Sequence, residues 1–160
     1  MNHAPKSSQR SLARSAARLA AVQALYQMQM EKTALAKLLD EFHQHRLGRA
    51  VDDEGEDEPV YAEAEVAFFD DVVRGVAARV EEIDALIASK LAAGWTTARL
   101  DKTMLQVLRA GTYELLARAD IPVAVAINEY VEVAKAFFDD TEARFVNGVL
   151  DAVAKDARTA

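Results

Sequence analysis

The segment KTMLQVLRAGTYELLARA, residues 102–119, decides the fold class of this 160-residue chain. Large apolar side chains fall on most sides of the helix that it would form: Met104, Leu105, Val107, Leu108, Leu115 and Leu116. A helix that is apolar nearly all round is buried among other elements. The segment therefore predicts the central helix of a helical bundle, with Asp101 in front of it as a candidate N-cap.

The segments on either side of this helix carry the three- and four-residue apolar spacing that is typical of helices. They predict helices over about 9–30, 33–45 and 61–92, one after Pro122, and a last one capped by Asp140 or Thr141. The last helix has an apolar face formed by Phe145, Val146, Val149, Leu150 and Val153. Gly75 is a candidate break within 61–92. No alternating strand pattern of useful length occurs, so the chain is predicted to be one all-α domain over residues 9–157.

Two polar segments lie outside the helical pattern. Residues 1–8 predict a flexible N-terminal tail. Residues 48–59 are rich in acidic side chains and contain two glycines and a proline. That composition predicts a solvated, disordered loop.

The composition excludes several classes of protein. The chain has no cysteine, which excludes a disulfide framework, a thiolate nucleophile and a zinc site built on cysteine. No apolar run approaches the roughly 18 to 20 residues of a membrane span, and the N-terminus lacks the apolar core of a signal peptide. We therefore expect a cytoplasmic protein that does not contact a membrane.

No group of residues has the spacing of a known catalytic or metal site. His43 and His45 are two residues apart, so on a helix they point about 160° away from each other and do not share a metal ion. The chain has no glycine-rich phosphate loop and no nucleophile elbow. We therefore expect no enzymatic activity, no metal and no cofactor.

A row of arginines stands near the N-terminus. Arg10, Arg14 and Arg18 are four residues apart, so they form one stripe along a helix. The stripe is centred about 140° from the large apolar side chains of the same helix. Those side chains are Leu12, Leu19, Val22, Tyr26 and Met30. The arginine row is therefore predicted to point outward while the apolar face packs on the core.

The charge around the arginine row bears on its role. The formal net charge of the chain is −7, yet residues 1–50 carry +5 and residues 51–85 carry −11. No acidic residue precedes Glu31, although exposed helices usually mix both signs. Because the planar guanidinium suits phosphate oxygens, the row favours a phosphate-bearing partner. A plain solvated face and an acidic protein surface stay open as alternatives.

Four segments together resemble one known family. They are ARLAAVQALYQ (17–27), RLDKTMLQVLRAGTYEL (99–115), IPVAVAINEYVEVAKAF (121–137) and RFVNGVLDAV (144–153). Their order and spacing are similar to those of the NusB family of bacterial transcription antitermination factors, and the resemblance covers about residues 10–155. It implies an all-helical bundle of about seven helices in two packed halves.

The resemblance also implies a function. The family binds the boxA segment of nascent ribosomal RNA transcripts together with NusE, a small-subunit ribosomal protein. It acts within an antitermination complex of RNA polymerase and promotes read-through of terminators. The arginine-rich first helix is the family's main RNA-contacting element, which carries over to Arg10, Arg14 and Arg18. A basic and an aromatic residue near the RNA carry over to Arg144 and Phe145.

Two departures from the family pattern predict fewer RNA contacts than in its best-known members. Ser15 and Ala16 interrupt the basic cluster of the first helix. Met104 and Leu105 are apolar where relatives often carry charged residues. With about three to five phosphates contacted, the salt slope for a single strand would be roughly −2 to −3.5.

The residues leave several alternatives open. Phe145 suits core packing beside Val149 as well as base stacking. Asn128, Glu129 and Asn147 are predicted to be mainly buried hydrogen-bonding residues at helix junctions. The sequence does not decide between a monomer and a homodimer. The alternative function is an RNA-positioning or protein-binding helical module in ribosomal RNA maturation.

Overall fold

The computed structural model describes residues 6–47 and 58–158, with the side chains of 10–47 and 65–158. The described residues form six α-helices, with a short 3-10 helix (Thr97–Arg99) between the third and the fourth. The helices are α1 (Lys6–Glu31), α2 (Leu35–His45), α3 (Glu58–Ala88), α4 (Lys102–Ala117), α5 (Val123–Phe137) and α6 (Asp140–Ala157). This confirms the predicted all-α class, and the helix number is close to the implied seven.

Two helix starts differ from the sequence prediction. α1 begins at Lys6 and not near residue 9, and Glu58 and Pro59 already belong to α3. Residues 1–5 of the predicted tail and residues 48–57 of the predicted acidic loop lie outside the described residues.

The chain divides into two compact units, residues 1–73 and residues 74–160. In the first unit α1 contacts α2, and α1 turns small side chains inward: Ala13, Ala17, Ala20, Ala21 and Ala24 are buried with Val22 and Leu25. Phe42 of α2 stacks on Phe69, with 5.3 Å between the ring centroids. The sequence predicts an apolar side of α2 formed by Leu35, Leu38, Leu39 and Phe42; the last three are buried and Leu35 is half-buried.

The second unit is built around α4, as the apolar pattern of residues 102–119 predicts. α4, α5 and α6 pack on one another, and α4 is buried from Met104 to Leu115 with Arg109 as the exception. Inside this core the hydroxyl of Tyr130 donates a hydrogen bond to the Glu114 carboxylate. Arg158 at the end of α6 donates to the carbonyls of Glu114, Leu115 and Arg118. These carbonyls lie at the C-terminal end of α4, where the backbone has fewer intrahelical donors.

α3 bends within the second unit, and the bend lies at Arg79 (φ −117°, ψ 21°) and not at the predicted Gly75. Gly75 serves a different purpose. A Cβ built on it would lie 2.1 Å from the Tyr113 ring, so only glycine lets α3 approach that side chain. Glu82 accepts hydrogen bonds from Arg79 at 2.9 and 3.1 Å, one turn beyond the bend.

The helix caps follow the sequence prediction only in part. Asp101 caps α4 as predicted and accepts from the backbone N–H groups of Thr103 and Met104 at 2.8 and 3.1 Å. The N-cap of α6 is Asp139, and the predicted caps Asp140 and Thr141 lie inside the helix. Gly94, between α3 and the 3-10 helix, has a φ of 87°, a left-handed conformation that glycine adopts without steric cost.

Candidate functional site

The arginine row of α1 does not point outward along its whole length. Arg10 is exposed and Arg14 is half-buried, whereas Arg18 is only 2% exposed. The guanidinium carbons of Arg14 and Arg18 lie over the Phe68 ring, 5.2 and 4.8 Å from its centroid. The predicted outward direction is therefore correct for Arg10 and wrong for Arg18, whose cation is held against an aromatic face.

The physical reason is that α1 packs by its alanines. The buried alanine face lies about 75° from the arginine row at 100° per residue, so the row borders the core. The large residues chosen as the core face are instead mostly exposed: Leu12 55%, Met30 49% and Tyr26 39%. Tyr26 was expected to pack on that face, and this expectation is wrong. Of the predicted face, Val22 is buried and Leu19 is half-buried.

The second unit carries a polar cleft of about 360 Å³ between α5 and α6. Its walls include Asn128 and Lys135 of α5, and Asp140, Arg144 and Asn147 of α6. All five of these side chains are exposed. Lys135 lies 3.6 Å from the carboxylate of Glu132 on its own helix. The cleft presents two cations, two amides and one carboxylate to solvent.

Three groups in the polar cleft have unused hydrogen-bonding capacity. Among the described residues, none forms a hydrogen bond or ion pair with Arg144, Asn128 or Asn147. The prediction that Asn128 and Asn147 are buried hydrogen-bonding residues is therefore wrong. Glu129, the third residue in that prediction, is half-buried and has an interaction. Guanidinium and amide groups that face solvent unpaired are suited to phosphate and base edges.

The position of Asn147 around the α6 helix axis, relative to the apolar face, indicates that its side chain is exposed. Val146, Val149, Leu150 and Val153 are buried, as predicted. Arg144 is opposite that face and Asn147 is beside it at 100° per residue. The position on the helix therefore predicts the exposure of Asn147 better than the polarity of its amide does.

Phe145 lies beside an apolar pocket of about 580 Å³ in the same unit. Phe145 and Asn147 are two residues apart, so they project from opposite flanks of α6. The pocket is also lined by Trp95, Met104, Phe138 and Glu142. The Phe145 ring is 38% exposed, so it is not a core residue as the face assignment expected. The structure thus separates Arg144, in the polar cleft, from Phe145, in the apolar pocket.

Two findings concern other classes of site. Across residues 6–47 and 58–158, no three histidine, aspartate or glutamate side chains form a group that could hold a metal ion. No helix in this part of the chain combines the length and apolarity of a membrane span. The residues expected from the sequence to contact RNA are divided between the two units. Arg10, Arg14 and Arg18 belong to the first unit, and Arg144 and Phe145 belong to the second.

Comparison with known proteins gives a consistent result. The NusB family model matches residues 15–155. The transcription antitermination protein NusB of Novosphingobium aromaticivorans is 64% identical over 146 residues, which cover 91% of this chain and 95% of the relative. That of Sphingopyxis alaskensis is 60% identical over 149 residues, covering 93% and 97%.

Solved structures share the fold. T. maritima NusB aligns with a TM-score of 0.74 and 33% identity, covering 91% of this chain and 93% of that one. A chain from a crystal structure of the antitermination factors NusB and NusE in complex with double-stranded RNA aligns with a TM-score of 0.69. It has 26% identity and covers 90% of this chain and 97% of that one.

Proposed function

The chain belongs to the NusB family, and we propose that it binds the boxA segment of nascent ribosomal RNA transcripts together with NusE. In this proposal it is a non-enzymatic cytoplasmic factor that joins the antitermination complex of RNA polymerase and promotes read-through. A relative's crystal structure with NusE and RNA supports the choice of partners. The observation in this chain that carries the proposal is the unpaired Arg144, which lines one cleft together with the exposed amides of Asn128 and Asn147.

The proposed RNA contacts come from both units. In the first unit, Arg10 is exposed and its guanidinium suits a phosphate contact, and Arg14 is half-buried one turn further along the same row. In the second unit, Arg144 and Lys135 supply cations to the polar cleft, and the two asparagines supply donors and acceptors for bases and riboses. None of these contacts needs a metal or a cofactor.

Arg18 has an indirect part in the proposal. Because its side chain is 2% exposed and lies over Phe68, it supports the surface that presents Arg14. Its charge adds to the local positive potential without a direct phosphate contact.

Phe145 is proposed to stack on an unpaired base. Its exposure of 38% leaves ring surface for such a contact, and base–aromatic stacking is worth about 1–3 kcal/mol per base. The Gly148 position is also consistent with a close approach of RNA. It is one turn from Arg144 on α6, and nothing lies within 4 Å of a Cβ built there.

Fluorescence polarisation with a labelled boxA RNA tests the proposal. The variant Arg144→Ala is expected to weaken binding and to reduce the magnitude of the salt slope by about 0.7, which is one phosphate contact on a single strand. Lys155→Ala, which removes the same charge from a side chain 78% exposed on the same helix, is the matched control and should bind as wild type. Equal binding by the two variants would favour the alternative, a protein-binding helical module.

A homodimer is a further proposal, supported by exposed apolar side chains of α1. Leu12, Tyr26 and Met30 lie within about 40° of one another on the helix wheel and are each at least 39% exposed. Light scattering on the pure protein measures the mass. A mass of one chain at micromolar concentration would contradict the homodimer and leave the RNA-binding proposal intact.

A further inference from the structure

One carboxylate of the apolar pocket beside Phe145, that of Glu142, lacks a hydrogen-bond donor among the described residues. Its Oε2 atom is buried, and burial without a donor is costly for a carboxylate oxygen. The residue stands three positions after the N-cap Asp139, where the positive end of α6 stabilises its charge. The pocket therefore contains an acceptor that a hydrogen-bond donor from a ligand would satisfy.

The walls of the pocket are aromatic. Trp95, Phe138 and Phe145 line it together with Met104. Trp95 is 51% and Phe145 38% exposed, so both rings offer surface to a flat occupant. Unpaired bases of single-stranded RNA stack on aromatic side chains in this way. The volume of about 580 Å³ lies within the range of binding pockets.

The other two charged residues of the pocket have separate roles. Arg99 donates to the Gly94 carbonyl at 2.7 Å, and its guanidinium carbon lies 5.1 Å from the centroid of the Trp95 ring. These contacts hold the indole in place, and a guanidinium has further N–H groups that suit a phosphate oxygen. Asp101 accepts two backbone N–H groups as the N-cap of α4. Glu142 is therefore the acidic residue of the pocket that is left to meet the edge of a base.

We propose that the pocket binds one unpaired base of the RNA and that Glu142 makes it selective for a base with an exocyclic amino group over uracil. The proposal rests on the proposed function, because it names the class of base that this RNA-binding surface accepts. A carboxylate only accepts hydrogen bonds, and the amino groups of cytosine, adenine and guanine donate them. Uracil has a carbonyl oxygen on each side of its N3–H group, and the carboxylate repels both oxygens. Trp95 is the second aromatic wall, opposite in sequence origin to Phe145 and outside the motifs of the first and last helices.

The single tryptophan of the chain makes the pocket directly observable. The fluorescence of Trp95 in the full-length protein is titrated with oligocytidylate and with oligouridylate of the same length, in the absence of NusE. A base that stacks on the indole quenches its emission. The wild type is expected to bind oligocytidylate with a Kd about tenfold lower than oligouridylate, the discrimination that one good base contact gives.

Glu142→Gln tests the selectivity. The variant keeps the shape of the side chain, and its amide both donates and accepts hydrogen bonds, so the preference for oligocytidylate should fall below twofold. The matched control is Asp151→Asn, which removes a charge from a carboxylate 59% exposed on the same helix and should keep the wild-type preference. Thermal unfolding verifies that each variant is folded.

Trp95→Ala tests the aromatic wall. Fluorescence polarisation with labelled boxA RNA in the presence of NusE should give a Kd about tenfold higher than that of the wild type, because one stacking contact is lost. Trp95→Phe keeps an aromatic face and should recover most of the affinity. Equal affinity of the Trp95→Ala variant and the wild type would overturn the stacking role of Trp95.

Three other results would overturn the proposal. Equal affinity for the two oligonucleotides would remove the selectivity assigned to Glu142. Quenching by neither oligonucleotide, in a protein that binds boxA RNA together with NusE, would show that the pocket takes no base while the proposed function stands. A shift of Trp95 emission by NusE alone, with no response to either oligonucleotide, would make the pocket a protein-binding site. If boxA RNA does not bind with or without NusE, the proposed function fails, and the pocket proposal that rests on it fails as well.

Discussion

Replacement of Arg18 by alanine should destabilise the protein, although the residue belongs to a row that sequence patterns place on the surface. The guanidinium lies 4.8 Å from the Phe68 centroid and the side chain is 2% exposed. A desolvated cation–π contact is worth about 2 kcal/mol. Alanine also removes two buried methylenes at about 0.8 kcal/mol each. Arginine and alanine differ little in helix propensity.

The expected loss in the free energy of unfolding is therefore about 3 kcal/mol. For a protein of this size 1 kcal/mol corresponds to roughly 2–4 °C in Tm, so the variant should melt about 6–12 °C below the wild type. Circular dichroism at 222 nm follows the transition, and urea unfolding gives the free energy.

The matched control is Arg10→Ala, which removes the same side chain from an exposed position of the same helix. Its free energy of unfolding should stay within about 0.5 kcal/mol of wild type. Arg18→Met, which keeps the apolar stem and loses the charge, should fall between the two. Equal stability of the Arg18→Ala and Arg10→Ala variants would refute the buried assignment and return Arg18 to the solvent-facing row.

Three further outcomes are expected. Gly75→Ala should lower the free energy of unfolding by about 2 kcal/mol, because the added methyl group overpacks against Tyr113. Gly148→Ala has open space around it and should raise the free energy of unfolding by about 0.8 kcal/mol, because alanine has the higher helix propensity. Urea unfolding measures both changes. Arg158→Ala should cost about 2 kcal/mol because three carbonyls lose a charged donor, and an unchanged midpoint would contradict that role. The hydrogen bond from Arg79 lowers the pKa of Glu82, so the Arg79→Ala variant should return that pKa to its ordinary value in an NMR titration. Because the folded pKa is the lower one, the stabilisation from this pair is present above the unfolded pKa and is lost as pH falls through the folded pKa.

The second unit shows where apolar periodicity is a sufficient guide. Leu108 and Leu115 are fully buried on α4, and Val146, Val149 and Leu150 form the buried face of α6. In these helices most of the large apolar residues lie on the buried face, and Phe145 of α6, 38% exposed, is an exception. Burial of such side chains is the dominant favourable term in folding, so the pattern of large residues locates the core.

α1 shows where the same reasoning fails. Leu12 and Met30 have helical spacing with the other large residues, yet they are exposed, and Ala13 and Ala17 are fully buried. Small side chains permit close packing of a helix against its neighbours. The spacing of the large apolar residues does not reveal a buried face made of alanines. The burial of Arg18 follows from the same rotation of the helix, because the arginine row borders the alanine face.

The sequence predicts part of the candidate site correctly. Arg10 and Arg144 are exposed in agreement with their expected roles. The sequence does not indicate the exposure of Asn128 and Asn147, because an amide in an otherwise apolar helix is consistent with a buried hydrogen bond as well as with a solvent-facing side. Trp95 and Glu142 lie 47 positions apart in the chain, and only the fold brings both of them to one pocket.

The most direct test of the proposed RNA binding is the affinity of the protein for boxA RNA and for a scrambled RNA of the same length, each measured with and without NusE at fixed salt. We expect boxA RNA to bind weakly to the protein alone. On addition of NusE we expect at least a tenfold gain for boxA, about 1.4 kcal/mol, and a smaller gain for the scrambled strand. Equal affinity for the two RNAs in the presence of NusE would contradict it.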